Sequence, residues 1–212
     1  MPLQNRVLPN GDIVAGPDRG MLMGNRGGPL HDSTRTIGHR RWISNAWICC
    51  RLTFKNRRRD VMAPGRYTEL FFLDEATALA AGHRPCFECR RADAQCFAHH
   101  WPQDKRTNER SRAAAIDRIL HRERLDASGG KRVHPLPFDL LPAGAMYLDP
   151  LARAPRLVLP SCTMRWTPAG YTDPRPHLAA TETVDVLTPP STLAVLAAGY
   201  GPHLHATATL GP

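Results

Sequence analysis

Cys86 and Cys89, separated by Phe87 and Glu88, are the residues whose type and spacing point most directly to chemistry. Two thiolates on a tight Cys-x-x-Cys turn can converge on one zinc ion. Redox pairs share that spacing, so further ligands are needed to complete a metal site. The upstream thiols are the adjacent Cys49 and Cys50. Neighbours on a strand point to opposite faces, so one of the two faces the knuckle comfortably, and the other joins it only where the strand bulges. Cys49, Cys50, Cys86 and Cys89 are therefore the expected metal ligands, with Zn2+ as cofactor. His83, His31, His39 and Cys96 are the other candidates for a fourth position.

A second region with chemical potential is the loop from Arg19 to Asp32, rich in glycine. Glycines let backbone N–H groups approach an anion closely, and Arg19 and Arg26 could clamp a phosphate. Asn25 could read a base edge or a ribose. His31 beside Asp32 offers a titratable pair from which a general base near neutrality can be drawn. The loop does not follow the Gly-x-x-x-x-Gly-Lys phosphate-binding pattern.

The elements that must position these residues are short. Asp74 can cap a helix that Gly82 ends, and Pro85 stops continuation before Cys86. Asp12 to Ala15, Met21 to Met23 and Tyr67 to Phe72 read as strands, and Trp42 to Phe54 as a long strand or hairpin. Arg90 to Trp101 and Ser111 to Leu125 read as helices, the latter with Ile116, Ile119 and Leu120 on one side. Ser128-Gly129-Gly130 breaks the pattern. Gly144 to Leu148, Arg156 to Leu159 and Val184 to Leu187 then read as strands. The stretch "STLAVLAAGYGPH" from Ser191 aligns with "DEATALAAGHRPC" from Asp74, Ser191 standing at the cap and His203 at the first cysteine. His203 and His205 are a weaker metal pair in that second copy. The expectation is an α+β protein of small antiparallel sheets with short helices in two pseudo-repeated halves: 1–128 carrying the metal, and 129–212 a degenerate copy.

The run "FFLDEATALAAGHRPCFECRR" resembles the end of the Ada-type zinc-binding module, the metal-binding domain of the Ada methyl-transfer DNA repair protein, with related domains attached to some nucleases. The likeness covers residues 71–91 only. It implies zinc, DNA rather than RNA as partner, and a role in damage recognition or repair. It also implies a zinc-activated thiolate at Cys49 or Cys50 as a methyl acceptor. In the family the upstream cysteines form a spaced pair, whereas here they are adjacent.

The chain of 212 residues carries 28 Lys and Arg against 19 Asp and Glu, for a net charge of +9, nearly all of it from arginine. Guanidinium grips phosphate with paired hydrogen bonds, which suits nucleic acid. Arg57, Arg58, Arg59, Arg84, Arg90 and Arg91, with Arg19, Asn25 and Arg26, form the expected footprint. Hydrophobic residues make up 42%, enough for a packed core. No stretch of about 20 apolar residues could span a membrane. The start lacks a secretory pattern, and six cysteines including an adjacent pair fit a reducing cytoplasm better than a disulfide framework. The leading expectation is a zinc protein that binds nucleic acid. The alternative is an enzyme acting on phosphate esters or nucleotides through the Gly/Arg loop, His31 and Asp32, with structural zinc. A third is an interaction protein with a bracing metal.

Overall fold

The segment Glu75–Ala80, helix α1, contains only small residues, one leucine and one glutamate, and every one of its side chains is buried. A helix without bulk can be approached closely from several sides. Leu79 packs with one apolar cluster, Ala76 and Ala80 with a second, and Ala78 and Ala81 with a third. The computed structural model, which describes residues 1–56, 60–102 and 113–209, is built around this helix. Asp74 caps it as expected, accepting the Thr77 N–H at 2.9 Å. The Gly82 and His83 N–H groups then close it on the carbonyls of Leu79 and Ala78, both at 2.9 Å. Gly82 sits at φ +86°, and a Cβ there would lie 2.6 Å from Arg124 Cδ, so glycine is required twice over.

Two six-stranded sheets flank the helix, as the α+β class requires. The first contains β1 (Gln4–Val7), β2 (Ile13–Ala15), β3 (Leu22–Asn25), β4 (Ile48–Arg51), β5 (Leu70–Phe72) and β6 (Arg84–Pro85) in the order β2-β1-β5-β3-β4-β6. It is mixed rather than antiparallel, because β1 runs parallel to β5 and β4 parallel to β6. The second contains β7 (His134–Pro137), β8 (Met146–Leu148), β9 (Pro155–Val158), β10 (Thr163–Thr167), β11 (Gly170–Arg175) and β12 (Thr183–Val186). Its order is β11-β10-β9-β8-β12-β7, antiparallel throughout. The strands carrying proline (β6, β7 and β11) all lie at sheet edges apart from β9, whose Pro155 is its first residue. Proline cannot donate to a ladder and is tolerated in those places.

Helices α2 (Arg91–His99), α3 (Ala113–Arg124) and α4 (Pro190–Ala197) complete the fold. Of the long strand expected over Trp42 to Phe54, only β4 is extended. The N–H groups of Ile43 and Ser44 turn back onto the Arg26 carbonyl, and the Trp47 indole bonds Ser44. The end of α4 repeats that of α1: Gly199 and Tyr200 donate to Leu196 and Val195, the positions aligned with Leu79 and Ala78. The beginning does not repeat, since Pro189 precedes α4 and the Ser191 hydroxyl bonds Glu123 Oε1 at 2.6 Å. Nor do the sheets share a strand order. The apolar clusters draw from both sides of residue 128: Leu79, Phe97 and Leu120 pack with Tyr147, Val186 and Leu193.

The junction is polar as well as apolar. The fully buried Glu75 carboxylate accepts from Tyr200 Oη at 2.7 Å, Arg90 Nη2 at 2.8 Å and the His203 N–H at 2.9 Å. Removing one member of a buried charged pair leaves the other uncompensated. Glu75→Ala should therefore cost about 3–5 kcal/mol, read as a shift of the urea midpoint. A loss below about 1 kcal/mol would show that the carboxylate does not join the halves.

Candidate metal centre

Strand β4 places the two adjacent cysteines on opposite faces. Register pairs Cys49 with Gly24 and Cys50 with Met23. At Gly24 an added Cβ would meet the Ile48 carbonyl oxygen at 2.1 Å, so glycine lets the two strands lie this close. Parallel pairing of β4 with β6 brings the knuckle alongside, and the Cys86 N–H donates to the Cys49 carbonyl at 3.0 Å. As a result the sulfurs of Cys50, Cys86 and Cys89 all lie within 4.8 Å of one another. The Glu88 N–H donates to Cys86 Sγ at 3.4 Å, one of the backbone donors that stabilise thiolate here. Hydrogen bonds from Cys50 and Cys89 hold the Cys86 thiol down to about 2, and the bond with Cys86 pushes Cys50 upward. These residues could hold a metal ion, supplying three soft ligands at a spacing that fits one.

Cys49 is not part of the trio. It is completely buried beneath the sheet, where its sulfur accepts from Arg90 Nη1 at 3.2 Å. Burial, followed by the charge of Glu75, pushes its thiol upward. The strand does not bulge to admit it, so the four-cysteine set is reduced to three. Among the described residues no fourth Cys, His, Asp or Glu atom joins the group. A cavity of about 360 Å³ opens beside the trio, lined among others by Arg19, Asn25, Phe54, Tyr67, Glu69 and Phe71.

The other predicted site residues separate into those at this cavity and those committed elsewhere. Arg19 and Asn25 line it, and so does Arg51, which the sequence reading passed over. Arg26 is buried and bonds the Gly11 carbonyl oxygen at 2.8 Å. Arg84 is buried in a paired contact with Asp117, at 2.8 and 2.7 Å. Arg90 is buried between Glu75 and Asp93. All three are buried away from this cavity, and Arg84 and Arg90 are committed to carboxylates. Arg91 is exposed, and Arg57, Arg58 and Arg59 lie outside the described residues.

His31 and Asp32 do not form a dyad. The His31 ring lies 2.6 Å from Thr68 Oγ1 and 3.3 Å from the Ala63 carbonyl oxygen, so both nitrogens are engaged. Asp32 closes its own turn, accepting from Thr34 and Thr36, and the Thr34 hydroxyl holds its carboxyl below the usual range. His203 lies 3.6 Å from Asp93 and His205 bonds Thr207, so neither pairs as a ligand.

Comparison with protein-family models, with curated proteins and with solved structures returned no match. No helix among the described residues is long and apolar enough to cross a membrane.

Two measurements test this geometry. Cys50→Ser, Cys86→Ser and Cys89→Ser should each lower bound metal at least several-fold by elemental analysis, whereas Cys49→Ser leaves the stoichiometry unchanged. Equal loss with Cys49→Ser would return that thiol to the ligand set. His83, fully buried against the rings of Phe72 and Trp47, is held well below its usual range by burial and by the charges of Arg26 and Arg124. Its folded value is depressed, so the stability it contributes is complete above the unfolded value near about 6.5 and is lost as pH falls below it. Relative to His83→Gln, the wild type should lose up to about 1.4 kcal/mol per pH unit there. Parallel pH profiles for the two proteins would contradict a neutral, buried His83.

Proposed function

We propose that the chain is a zinc protein that binds nucleic acid, taking one unpaired nucleotide into the cavity beside the thiol trio. The observation that carries this reading is the lining of that cavity. Phe54 and Tyr67 offer ring surfaces, Asn25 an amide, and the exposed Arg51 and Arg19 (the latter lying over the buried Phe71 ring) positive charge, all beside Cys50, Cys86 and Cys89. Rings stack on bases regardless of sequence, amides bond base edges, and guanidinium binds phosphate. At about 360 Å³ the cavity falls within the range of small-ligand sites.

Zinc is the metal assigned, because an all-thiolate set favours a soft or borderline ion and zinc needs no redox partner. Structural zinc sites are closed by four protein ligands, whereas sites that act on a ligand keep one position open. Three thiols beside a cavity match the second kind. The Ada-type resemblance, carried by the capped helix, Gly82 and the knuckle, favours DNA and a role in damage recognition or repair. Unpaired or damaged bases cost least to draw out of a duplex, which fits a site of this shape.

Fluorescence anisotropy with labelled oligonucleotides tests the reading. Single-stranded or mismatched DNA should bind more tightly than intact duplex, with affinity falling steeply as salt rises. Arg19→Ala should flatten the log–log salt slope by about 0.7, one phosphate contact on a single strand. Phe54→Ala should cost about 1–3 kcal/mol of binding. Affinity that is independent of salt would remove nucleic acid as the ligand.

A further inference from the structure

On the other side of the first sheet, three cations converge with no carboxylate within ion-pair distance among the described residues. Arg26 and Arg124 are each 1% exposed and sandwich the Trp47 ring, with their guanidinium carbons 3.8 and 3.9 Å from its centroid. Lys131 reaches in beside them, its Nζ 2.6 Å from the Ala80 carbonyl oxygen. None of the three forms an ion pair among the described residues. Their partners are neutral: the carbonyls of Gly11, Arg41, Gly82, Asn45 and Ala80, and the rings of His83 and His121.

Two of those carbonyls, Ala80 and Gly82, lie at the C-terminal end of α1, whose dipole offers about half a negative charge. That is far short of three cations. The charge imbalance also shows in Lys131, whose ammonium is pushed down to about 7 by burial and by Arg124 and Arg26. Guanidinium groups cannot relieve the strain by losing a proton, so desolvated positive charge remains.

A cavity of about 60 Å³ opens against this cluster. It is lined by four cationic side chains (Arg26, Arg41, Arg124 and Lys131) against one carboxylate, the exposed Asp12, whose Oδ2 is bonded by Asn10. Arg124, which lines it, has an Nε–H with no hydrogen-bond partner although the residue is buried. Donor excess, an orphaned buried donor and a small cavity coincide. The volume holds about four to six water-sized groups, enough for a tetrahedral oxyanion.

We propose that this cavity is an anion site that takes a phosphate group, either free phosphate or the phosphate of a monoester. Arg26, Arg124 and Lys131 supply the charge. The site is separate from the thiol trio and does not depend on metal.

Thermal melting of the full chain in phosphate against chloride of matched ionic strength tests the assignment, using inorganic phosphate and adenosine monophosphate as probes. The wild type should melt several degrees higher with a saturable dependence on either probe, and the probe effective at the lower concentration identifies free phosphate or ester as the source. Lys131→Met should abolish at least nine-tenths of that response, yet melt no lower than wild type in chloride, because one repelling charge is gone. Cys86→Ser should retain the response. A direct readout independent of any variant is saturable broadening of the phosphate ³¹P resonance on titrating wild-type protein. No saturable shift or broadening with either probe, or a full response in Lys131→Met, would overturn the site and leave water as its occupant.

Discussion

The structure depends on keeping two adjacent carboxylates, Asp74 and Glu75, buried at the start of α1. Isolated, such groups would cost several kcal/mol each in desolvation. They are tolerated because the rest of the chain supplies donors. Asp74 accepts from Thr77, from Tyr171 Oη at 2.8 Å and from the His205 N–H at 3.1 Å, while Tyr200, Arg90 and the His203 N–H converge on Glu75. Most of these donors belong to the second half of the chain. The helix that opens the knuckle can thus be buried only when the C-terminal segment is in place, and its small side chains allow both sheets to close on it.

The same network reaches the thiols. Arg90 joins Glu75 to Asp93 and to the sulfur of Cys49, which fixes the inner face of β4. With Cys49 turned inward, the pleat turns Cys50 outward toward Cys86 and Cys89. The adjacent cysteines have different tasks because one strand cannot present both to the same side. A buried thiol with an arginine partner holds the strand, and its neighbour faces the other two thiols.

This division shows what could be read from the residues and what could not. The knuckle, the Asp74 cap, the Gly82 stop and the α+β class follow from local chemistry, because cap, stop and turn are set within a few residues. Cys49 and Cys50 could not be told apart, since the decision rests with Arg90, which lies 41 residues from Cys49. The arginines misled for the same reason. Arg84 finds Asp117 across 33 residues, and Arg124 finds Gly82 across 42, so charge that suggested a surface was spent inside. The prolines of β7 and β11 hid two strands that edge positions tolerate. Pro168 in the turn after β10 and Gly170 at the start of β11 were the available signal for that hairpin.

Strands β3 and β4 extend the alternation into a general arrangement. Met23 and Asn25 on one, with Ile48 and Cys50 on the other, line the cavity beside the thiols. Gly24 and Cys49 between them face inward, where Cys49 belongs to the apolar core. One residue beyond Asn25, Arg26 points to the opposite side and enters the cationic cluster over Trp47. A single step along the backbone therefore separates a thiol-lined cavity from a guanidinium-lined one. The end of β3 is held between them by its register with β4, so a change in its backbone would disturb both. Two chemically distinct sites can share so thin a wall because a strand needs only its two faces to serve them.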